Sequence, residues 1–171
     1  GNIVVENNGS IVQINETDTN TGTYTGTKFQ VNRIAQAKNL DYVYWSSPIN
    51  GFAVSNLPNS HRLEWGPTAT NANSTQGNWS AASGNMITSK GYIARASNGS
   101  ATAVALPVVF QGGKPNNGSV SIGIARGSTT GIDDTWNLVG NPYPSAMSAS
   151  SFVTENTNIE GSVRLWTHGS V

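Results

Sequence analysis

The chain has 171 residues, no cysteine, and nine basic residues balanced by nine acidic ones. This length suits one domain, which buries roughly two-thirds of its unfolded surface and needs no disulfides to fold. The absence of thiols excludes disulfides, thiolate metal sites and a cysteine nucleophile. The basic residues are scattered and form no stripe, so we expect no nucleic-acid partner.

Small polar residues dominate the composition. Asn, Ser, Thr and Gly number 21, 20, 17 and 19, together 77 of 171 residues, whereas charged residues make up only 11%. Typical globular domains carry about 25% charged residues. Zero net charge and five Trp oppose disorder, so we expect a folded extracellular or cell-surface protein. The longest apolar stretch, residues 104–110, is too short to span a bilayer, and no membrane insertion is expected.

Short runs that alternate apolar and polar residues, separated by turns such as Asn8-Gly9, predict strands along the chain. In chain order these strands cover residues 3–5, 11–14, 40–45, 92–96, 104–108, 120–124, 136–139 and 163–166. Residues 55–85 are rich in Asn, Ser and Gly and predict long loops with irregular strands. Residues 112–118 predict a hairpin loop.

Helical signals are confined to one place. Ser148 predicts the N-cap of a short helix near residues 148–154, with Phe152 and Val153 facing the core. The remaining pattern predicts an all-β fold, an antiparallel β-sandwich for which a jelly-roll-like arrangement stays open.

The domain organisation is predicted in two parts. Residues 1–30 form an N-terminal β extension, the last rung of an upstream repetitive β region, or the first hairpin of the domain itself. Residues 31–171 form the β-sandwich module. Both ends of the chain resemble cuts within a longer polypeptide, so we expect neighbouring domains of the same polypeptide as partners.

Metal ligands are sparse. The two histidines, His61 and His168, are too few for a zinc site without cysteine. Asp18 and Asn20 weakly resemble the opening of a calcium loop, but the distal Glu is missing and a solvated turn is expected instead. We therefore expect no metal and no cofactor, with Asp18 and Asn20 as weak candidates.

Catalytic patterns are also missing. There is no G-x-S-x-G elbow, P-loop or dinucleotide fingerprint. Asp133 and Asp134 are adjacent on an extended chain and point to opposite faces, which makes a poor acid–base pair. We expect a protein that is not an enzyme, with no catalytic residues.

The aromatic residues remain as candidates for binding. Trp65 and Trp79 lie in polar stretches and, with Tyr92, are the candidate ligand-binding residues, since exposed rings can stack on sugars. The core is expected to hold the three tryptophans of strand-like runs: Trp45, Trp136 and Trp166. A buried Trp136 predicts that Trp136→Ala destabilises the domain by about 3–5 kcal/mol.

Several stretches together resemble a known group of proteins. They are residues 40–48 (LDYVYWSSP), 77–79 (GNW), 86–95 (MITSKGYIAR), 136–145 (WNLVGNPYPS) and 166–168 (WTH). Their order is similar to that in large secreted surface proteins of the Bacteroidetes, especially flavobacteria, where the region usually precedes a C-terminal sorting domain for type IX secretion. The resemblance covers about residues 1–171 and is strongest from 40 to 168.

The resemblance implies an extracellular, adhesin-like protein and carries no catalytic residue over to this chain. We therefore expect a non-catalytic extracellular module with a structural or adhesive role, whose partner is an extracellular glycan or protein surface. The alternative is a carbohydrate-binding module of a secreted polysaccharide-degrading enzyme. An independent hydrolase ranks third.

Overall fold

A computed structural model describes residues 1–13, 26, 28–96, 99–128, 135–159 and 161–165 of the chain. This part of the chain contains seven β-strands, a 3-10 turn at Val54–Asn56 and one short α-helix. The elements are β1 (Asn2–Val5), β2 (Lys28–Ala37), β3 (Tyr42–Trp45), β4 (Arg62–Thr70), β5 (Gln76–Ala81), β6 (Tyr92–Arg95), β7 (Val104–Gln111) and α1 (Ala149–Glu155).

The strands form two sheets around a shared hydrophobic core. The first sheet has the order β1-β2-β7, in which β1 is parallel and β7 antiparallel to β2. The second sheet is antiparallel and has the order β3-β6-β4-β5. The prediction of an all-β, sandwich-like fold with one short helix is confirmed.

The core lies between the inner faces of the two sheets. Phe29 and Val31 of β2 and Phe110 of β7 are each at most 3% exposed. The Phe110 ring centroid lies 6.3 Å from that of Trp45 on the second sheet and 4.5 Å from that of Phe52 in the following loop. Each large apolar side chain removed from water contributes roughly 1.5–3 kcal/mol, so this aromatic contact holds the sheets together.

Four of the eight predicted strands overlap strands of the described structure. β1, β3, β6 and β7 overlap the predicted strands at residues 3–5, 40–45, 92–96 and 104–108. β2 was not predicted, although its buried residues Phe29, Val31 and Ala37 all lie at odd positions. The alternation of β2 is hard to recognise in the sequence because Arg33 and Ile34 reverse the order of apolar and polar residues at its centre.

Residues 55–85 were predicted to form long loops with irregular strands; the irregular strands are present as the β4–β5 hairpin, which takes the place of most of the predicted loop. β4 and β5 pair antiparallel, with one register shift between Gly66 and Thr70. The Asn71 side chain organises the turn: its Oδ1 accepts from the Asn73 N–H at 2.9 Å, and its Nδ2 donates to Thr75 Oγ1 at 2.7 Å. Asn residues that signalled a loop therefore close a hairpin.

Several predicted strands are not strands in the described residues. Residues 120–124 join no sheet, and of residues 136–139 only Val139 forms an isolated bridge, to Lys90. The Asn137 side-chain amide bonds the Ala125 backbone instead, accepting from its N–H at 3.0 Å and donating to its C=O at 2.8 Å. Residues 11–13 and 163–165 are also not strands, and 14 and 166 lie outside the described residues.

The helix begins where the sequence predicts. Ser148 is its N-cap, with Oγ accepting from the Ser151 N–H at 3.2 Å. Phe152 and Val153 are only partly buried, and no residue of α1 is buried. The prediction that these two side chains face the core was therefore wrong, because this seven-residue helix lies on the surface.

The N-terminal strand belongs to the first sheet. β1 pairs with β2 in register from Asn2 to Val5, and Val5 is 6% exposed in the core. The boundary predicted at residue 30 falls within β2. Neither helix among the described residues is long and apolar enough to cross a membrane.

Candidate functional site

The two tryptophans of the β4–β5 hairpin contact each other. Trp65 and Trp79 are register partners, with ring centroids 5.1 Å apart and ring planes at 67°. Both side chains are partly buried, and Trp65 Nε1 donates to the Trp136 carbonyl at 2.8 Å. This edge-to-face pair is a common stable arrangement of aromatic rings. The two rings do not form the coplanar platform that a sugar would cover.

Tyr92 is a core residue. It is 2% exposed, and its hydroxyl accepts from the Ile87 N–H at 3.0 Å. As the first residue of β6 it points between the sheets, so its ring cannot stack on a ligand. The prediction of Tyr92 as a ligand-binding residue was wrong for this reason.

Of the tryptophans predicted to lie in the core, one is buried and one is exposed. Trp45 is 8% exposed and lies in the core as predicted, whereas Trp136 is 48% exposed. Residues 136–139 are not a sheet strand, so nothing places the Trp136 ring between the sheets and the core prediction for it was wrong. Trp166 lies outside the described residues, as do His168, Asp133, Asp134, Asp18 and Asn20.

Three of the sequence motifs converge at one end of β3. Residues 138–140 lie beside residues 89–91: the Gly91 N–H donates to the Leu138 carbonyl at 3.0 Å, and the Gly140 N–H to the Ser89 carbonyl at 2.8 Å. A Cβ added at Gly91 would lie 2.6 Å from Leu138 Cγ, and one added at Gly140 would overlap the Ser46 side chain. Glycine is needed at both positions because the chains approach so closely.

Asn116 forms hydrogen bonds to two of these motifs. It is 1% exposed, and its Nδ2 donates to the carbonyls of Ser47 at 3.2 Å and Pro142 at 2.9 Å. Its backbone N–H donates to the Pro48 carbonyl at 3.0 Å. Residues 112–118 were predicted to be a hairpin loop, but residues 115–117 are buried. The prediction was wrong because this segment bonds to residues 48–50 instead of folding back on itself.

A cleft of about 570 Å³ opens beside these motifs. It lies where β2 of the first sheet approaches the edge strand β3 of the second, and residues 7–10 and 138–146 form its rim. Its lining combines apolar side chains, such as Phe110 and Leu138, with residues that carry amides, hydroxyls and phenol rings: Asn7, Asn8, Ser10, Tyr44, Asn141 and Tyr143. This mixture is typical of sites that bind polar organic ligands.

Arg33 is the one charged side chain among the described residues that line the cleft. Side chains alternate along β2, so Arg33 lies on the same inner face as Phe29 and Val31. Its Nη1 donates to the carbonyls of Glu6 at 3.1 Å and Asn32 at 2.8 Å, and its Nη2 donates to the Gly9 carbonyl at 3.3 Å. Burial lowers the pKa of the Arg33 guanidinium below its ordinary value.

Burial shifts the pKa of the two tyrosines that line the cleft upward, opposite to its effect on Arg33. Burial raises the pKa of both the Tyr44 and the Tyr143 phenol above the ordinary value of 10.0. The Tyr143 hydroxyl donates to the Gly118 carbonyl at 2.7 Å, and Tyr44 is 37% exposed. Both phenols are therefore neutral donors at physiological pH.

Two polar atoms beside the cleft lack partners. Trp45 Nε1 and Ser46 Oγ are buried without a hydrogen bond among the described residues. Leaving a buried donor or acceptor unpaired costs about 1–3 kcal/mol. Arg33, Trp45 and Ser46 all line the cleft, so unmet hydrogen-bonding capacity occurs there, as it also does at Arg95 Nε and Asn116 Oδ1 outside it.

Sequence reasoning missed Arg33 and Tyr44 as site residues. A signal for Arg33 was present, since it interrupts the apolar set at positions 29, 31, 35 and 37 of one strand face. Tyr44 carried no such signal. Its exposure depends on the position of β3 at a sheet edge.

Metal-ligating and acidic side chains are dispersed over the described residues. In this part of the chain there is no group of three or more His, Cys, Asp or Glu that could hold a metal. Glu64 is 2.6 Å from Lys90 Nζ in an ion pair, and it does not line the cleft.

Comparison with known proteins identifies the family of the chain. No curated protein and no solved structure matches it. A protein-family model does match, and it spans residues 1–171, so β1 and the sandwich lie within one family unit. The chain therefore belongs to the family described as Domain of unknown function (DUF8693).

Proposed function

We propose that this domain is a non-catalytic module of a secreted bacterial surface protein, that it has an adhesive role, and that the cleft beside β3 is its binding site. The low charge and the 77 small polar residues support an extracellular setting. The resemblance to Bacteroidetes surface proteins supports secretion by the type IX route, with neighbouring domains in the same polypeptide.

One observation carries the binding role. A cleft of about 570 Å³ is lined by hydroxyls, amides, two tyrosines and Arg33. Glycoside hydrolysis by two carboxylates needs Asp or Glu at the reacting bond, and neither occurs among the described residues lining this cleft. The lining supports recognition of a polar partner and offers no acid–base pair.

The test is a binding screen with a matched pair of variants. Tyr44 lines the cleft, whereas Tyr42, two residues earlier on the same face of β3, contacts His61 with ring centroids 5.9 Å apart. The purified domain is passed over immobilised extracellular glycans and matrix proteins, and retention is compared for wild type, Tyr44→Ala and Tyr42→Ala.

We expect saturable retention by one class of surface, lost in Tyr44→Ala and kept in Tyr42→Ala, with both variants melting cooperatively. Retention that is equal in both variants would place the binding site elsewhere. No retention by any surface would overturn the adhesive role and leave the module as a spacer between domains.

The second candidate function is a carbohydrate-binding module of a polysaccharide-degrading enzyme. It is favoured by the partly exposed Trp65–Trp79 pair on the β4–β5 hairpin. Because the rings meet at 67°, the flat face of a sugar could stack on only one of the two rings at a time. In the same screen, polysaccharide binding that is lost in Trp79→Ala but kept in Tyr44→Ala would establish this alternative.

A further inference from the structure

Arg33 is a charged residue on the inner face of a β-sandwich, where apolar side chains are usual. The other side chains on that face of β2 include Phe29 and Val31, which are 3% and 0% exposed. Arg33 itself is only partly buried, so its charge loses part of its hydration, and charges removed from water are normally paired with an opposite charge. Arg33 has no carboxylate partner among the described residues, where the ion pair found joins Lys90 and Glu64.

Backbone carbonyls satisfy only part of the guanidinium. A guanidinium has five N–H donors, and Arg33 directs three hydrogen bonds to the carbonyls of Glu6, Asn32 and Gly9. The Nε–H and one Nη2–H have no acceptor among the described residues. The Glu6 carboxylate forms no ion pair with Arg33 among the described contacts and instead accepts from Asn32 Nδ2 at 2.9 Å.

The shape and position of the free donors favour an anion with two oxygens. Carboxylates accept two parallel N–H bonds from arginine, and such pairs are stronger than bonds between neutral groups. Arg33 is held in place by its three carbonyl contacts, so little side-chain freedom is lost when a ligand binds. Burial also depresses the pKa of Arg33, and an anion beside it would relieve that cost.

The other residues that line the cleft favour a saccharide as the ligand that bears this carboxylate group. Amides from Asn8 and Asn141 and hydroxyls from Ser10 and Tyr44 surround the opening. Sugars present hydroxyls that such groups bind, and their apolar faces pack on tyrosine rings. A cleft of about 570 Å³ has room for a short stretch of a polysaccharide chain.

We propose that the cleft beside β3 binds an acidic saccharide, with Arg33 receiving its carboxylate and Tyr44 and Tyr143 contacting the sugar. This inference rests on the proposed function, in that it uses the same cleft as the binding site and names the chemical class of its ligand.

The experiment compares polymers that differ in one group. Binding of the intact domain to polygalacturonate, to the same polymer with its carboxyl groups reduced to alcohols, and to polyglutamate is measured by calorimetry. A chelator is present throughout, so that calcium cannot bridge the polymer and the protein. We expect affinity for polygalacturonate to exceed that for the reduced polymer by about ten- to hundredfold, as for a charge-assisted hydrogen bond.

Two arginine variants complete the test. Arg33→Gln removes the charge from the cleft. Arg62→Gln is the matched control, since Arg62 also donates to backbone carbonyls, those of Leu57 and Ser55, but lies outside the cleft. We expect the loss of polygalacturonate affinity in Arg33→Gln alone, and the wild-type comparison of polymers remains decisive if Arg33→Gln does not fold.

The outcomes separate this inference from the proposed function. Equal affinity for the native and the reduced polymer would overturn the role of the carboxylate while leaving the cleft as a binding site. Equal affinity for polyglutamate and polygalacturonate would overturn the saccharide and point to an acidic protein partner. No binding to these polymers, combined with no retention in the broad screen, would overturn both proposals.

Discussion

The cleft beside β3 and the Trp65–Trp79 hairpin are two regions of the described structure that carry partly exposed aromatic rings, and they differ in how their polar groups are satisfied. In the hairpin the rings contact each other at 5.1 Å, and Trp65 Nε1 is bonded to the Trp136 carbonyl. In the cleft Arg33 keeps free donors, and Trp45 Nε1 and Ser46 Oγ are unpaired in the described structure.

The difference shows which kind of signal points to a ligand. An exposed ring costs little, because apolar atoms make up more than half of any protein surface. A desolvated charge or an unpaired buried donor costs free energy that a bound ligand can restore. The cleft is therefore the stronger candidate site, although its aromatic residues are less conspicuous in the sequence than the hairpin tryptophans.

The largest expected effect is a difference in unfolding free energy between two variants, one at a tryptophan that lines the cleft and one at a tryptophan next to the hairpin. Trp45→Ala should destabilise the domain by about 3–5 kcal/mol, since Trp45 is 8% exposed and contacts Phe110. Trp136→Ala should cost about 1–2 kcal/mol, because 48% of its surface is already exposed. Urea unfolding measures both.

Trp45→Phe is the control for this pair, since it keeps a ring and removes the unpaired N–H; it should cost less than Trp45→Ala. An equal loss of stability in Trp45→Ala and Trp136→Ala would contradict the division of these residues into core and surface.

The next effect compares two asparagines. Asn116→Ala leaves the carbonyls of Ser47 and Pro142 without their donor in a buried site, and should cost about 2–4 kcal/mol. Asn71→Ala opens a hairpin turn that water can reach, and should cost about 1 kcal/mol. Thermal unfolding of the two variants measures both losses of stability. A larger loss in Asn71→Ala than in Asn116→Ala would contradict the conclusion that the buried site beside the cleft contributes more to stability than the hairpin turn.

Alkaline pH should act on the cleft through its tyrosines. The pKa values of Tyr44 and Tyr143 are raised by burial, so the folded state favours the neutral phenols. Their contribution is fully present below the ordinary value of 10.0 and is lost as pH rises through the higher folded-state values, because the unfolded chain ionises first. The melting temperature should therefore fall above about pH 10.

Phenolate absorbance at 295 nm follows the same titration. In the double variant Tyr44→Phe with Tyr143→Phe the alkaline fall should be shallower than in wild type. An unchanged fall would assign it to other groups.

The smallest expected effect is that of a chelator. Neither the cleft nor the hairpin brings together three metal-ligating side chains among the described residues, so EDTA should leave the melting temperature unchanged. A large fall would direct attention to Asp18 and Asn20, the weak calcium candidates, which lie outside the described residues.

Local patterns predicted elements well where the local chemistry decides the structure. Ser148 caps α1 because its hydroxyl reaches a backbone N–H three residues ahead. The runs around Tyr42, Tyr92 and Val104 are strands because each has a partner strand to pair with. The run at residues 120–124 has the same alternation and no partner, so it is not a strand.

Local sequence patterns account for the all-β class, for four of the seven strands of the described residues, for the helix cap and for the three motifs that meet beside β3, since these follow from side-chain periodicity and turn chemistry within a few residues. Only the tertiary structure decided that Tyr92 is buried, that Trp136 is exposed and that Arg33 lies on an inner face beside a cleft. Burial depends on which segments pack together, and those contacts join residues as far apart as Arg33, Phe110 and Tyr143.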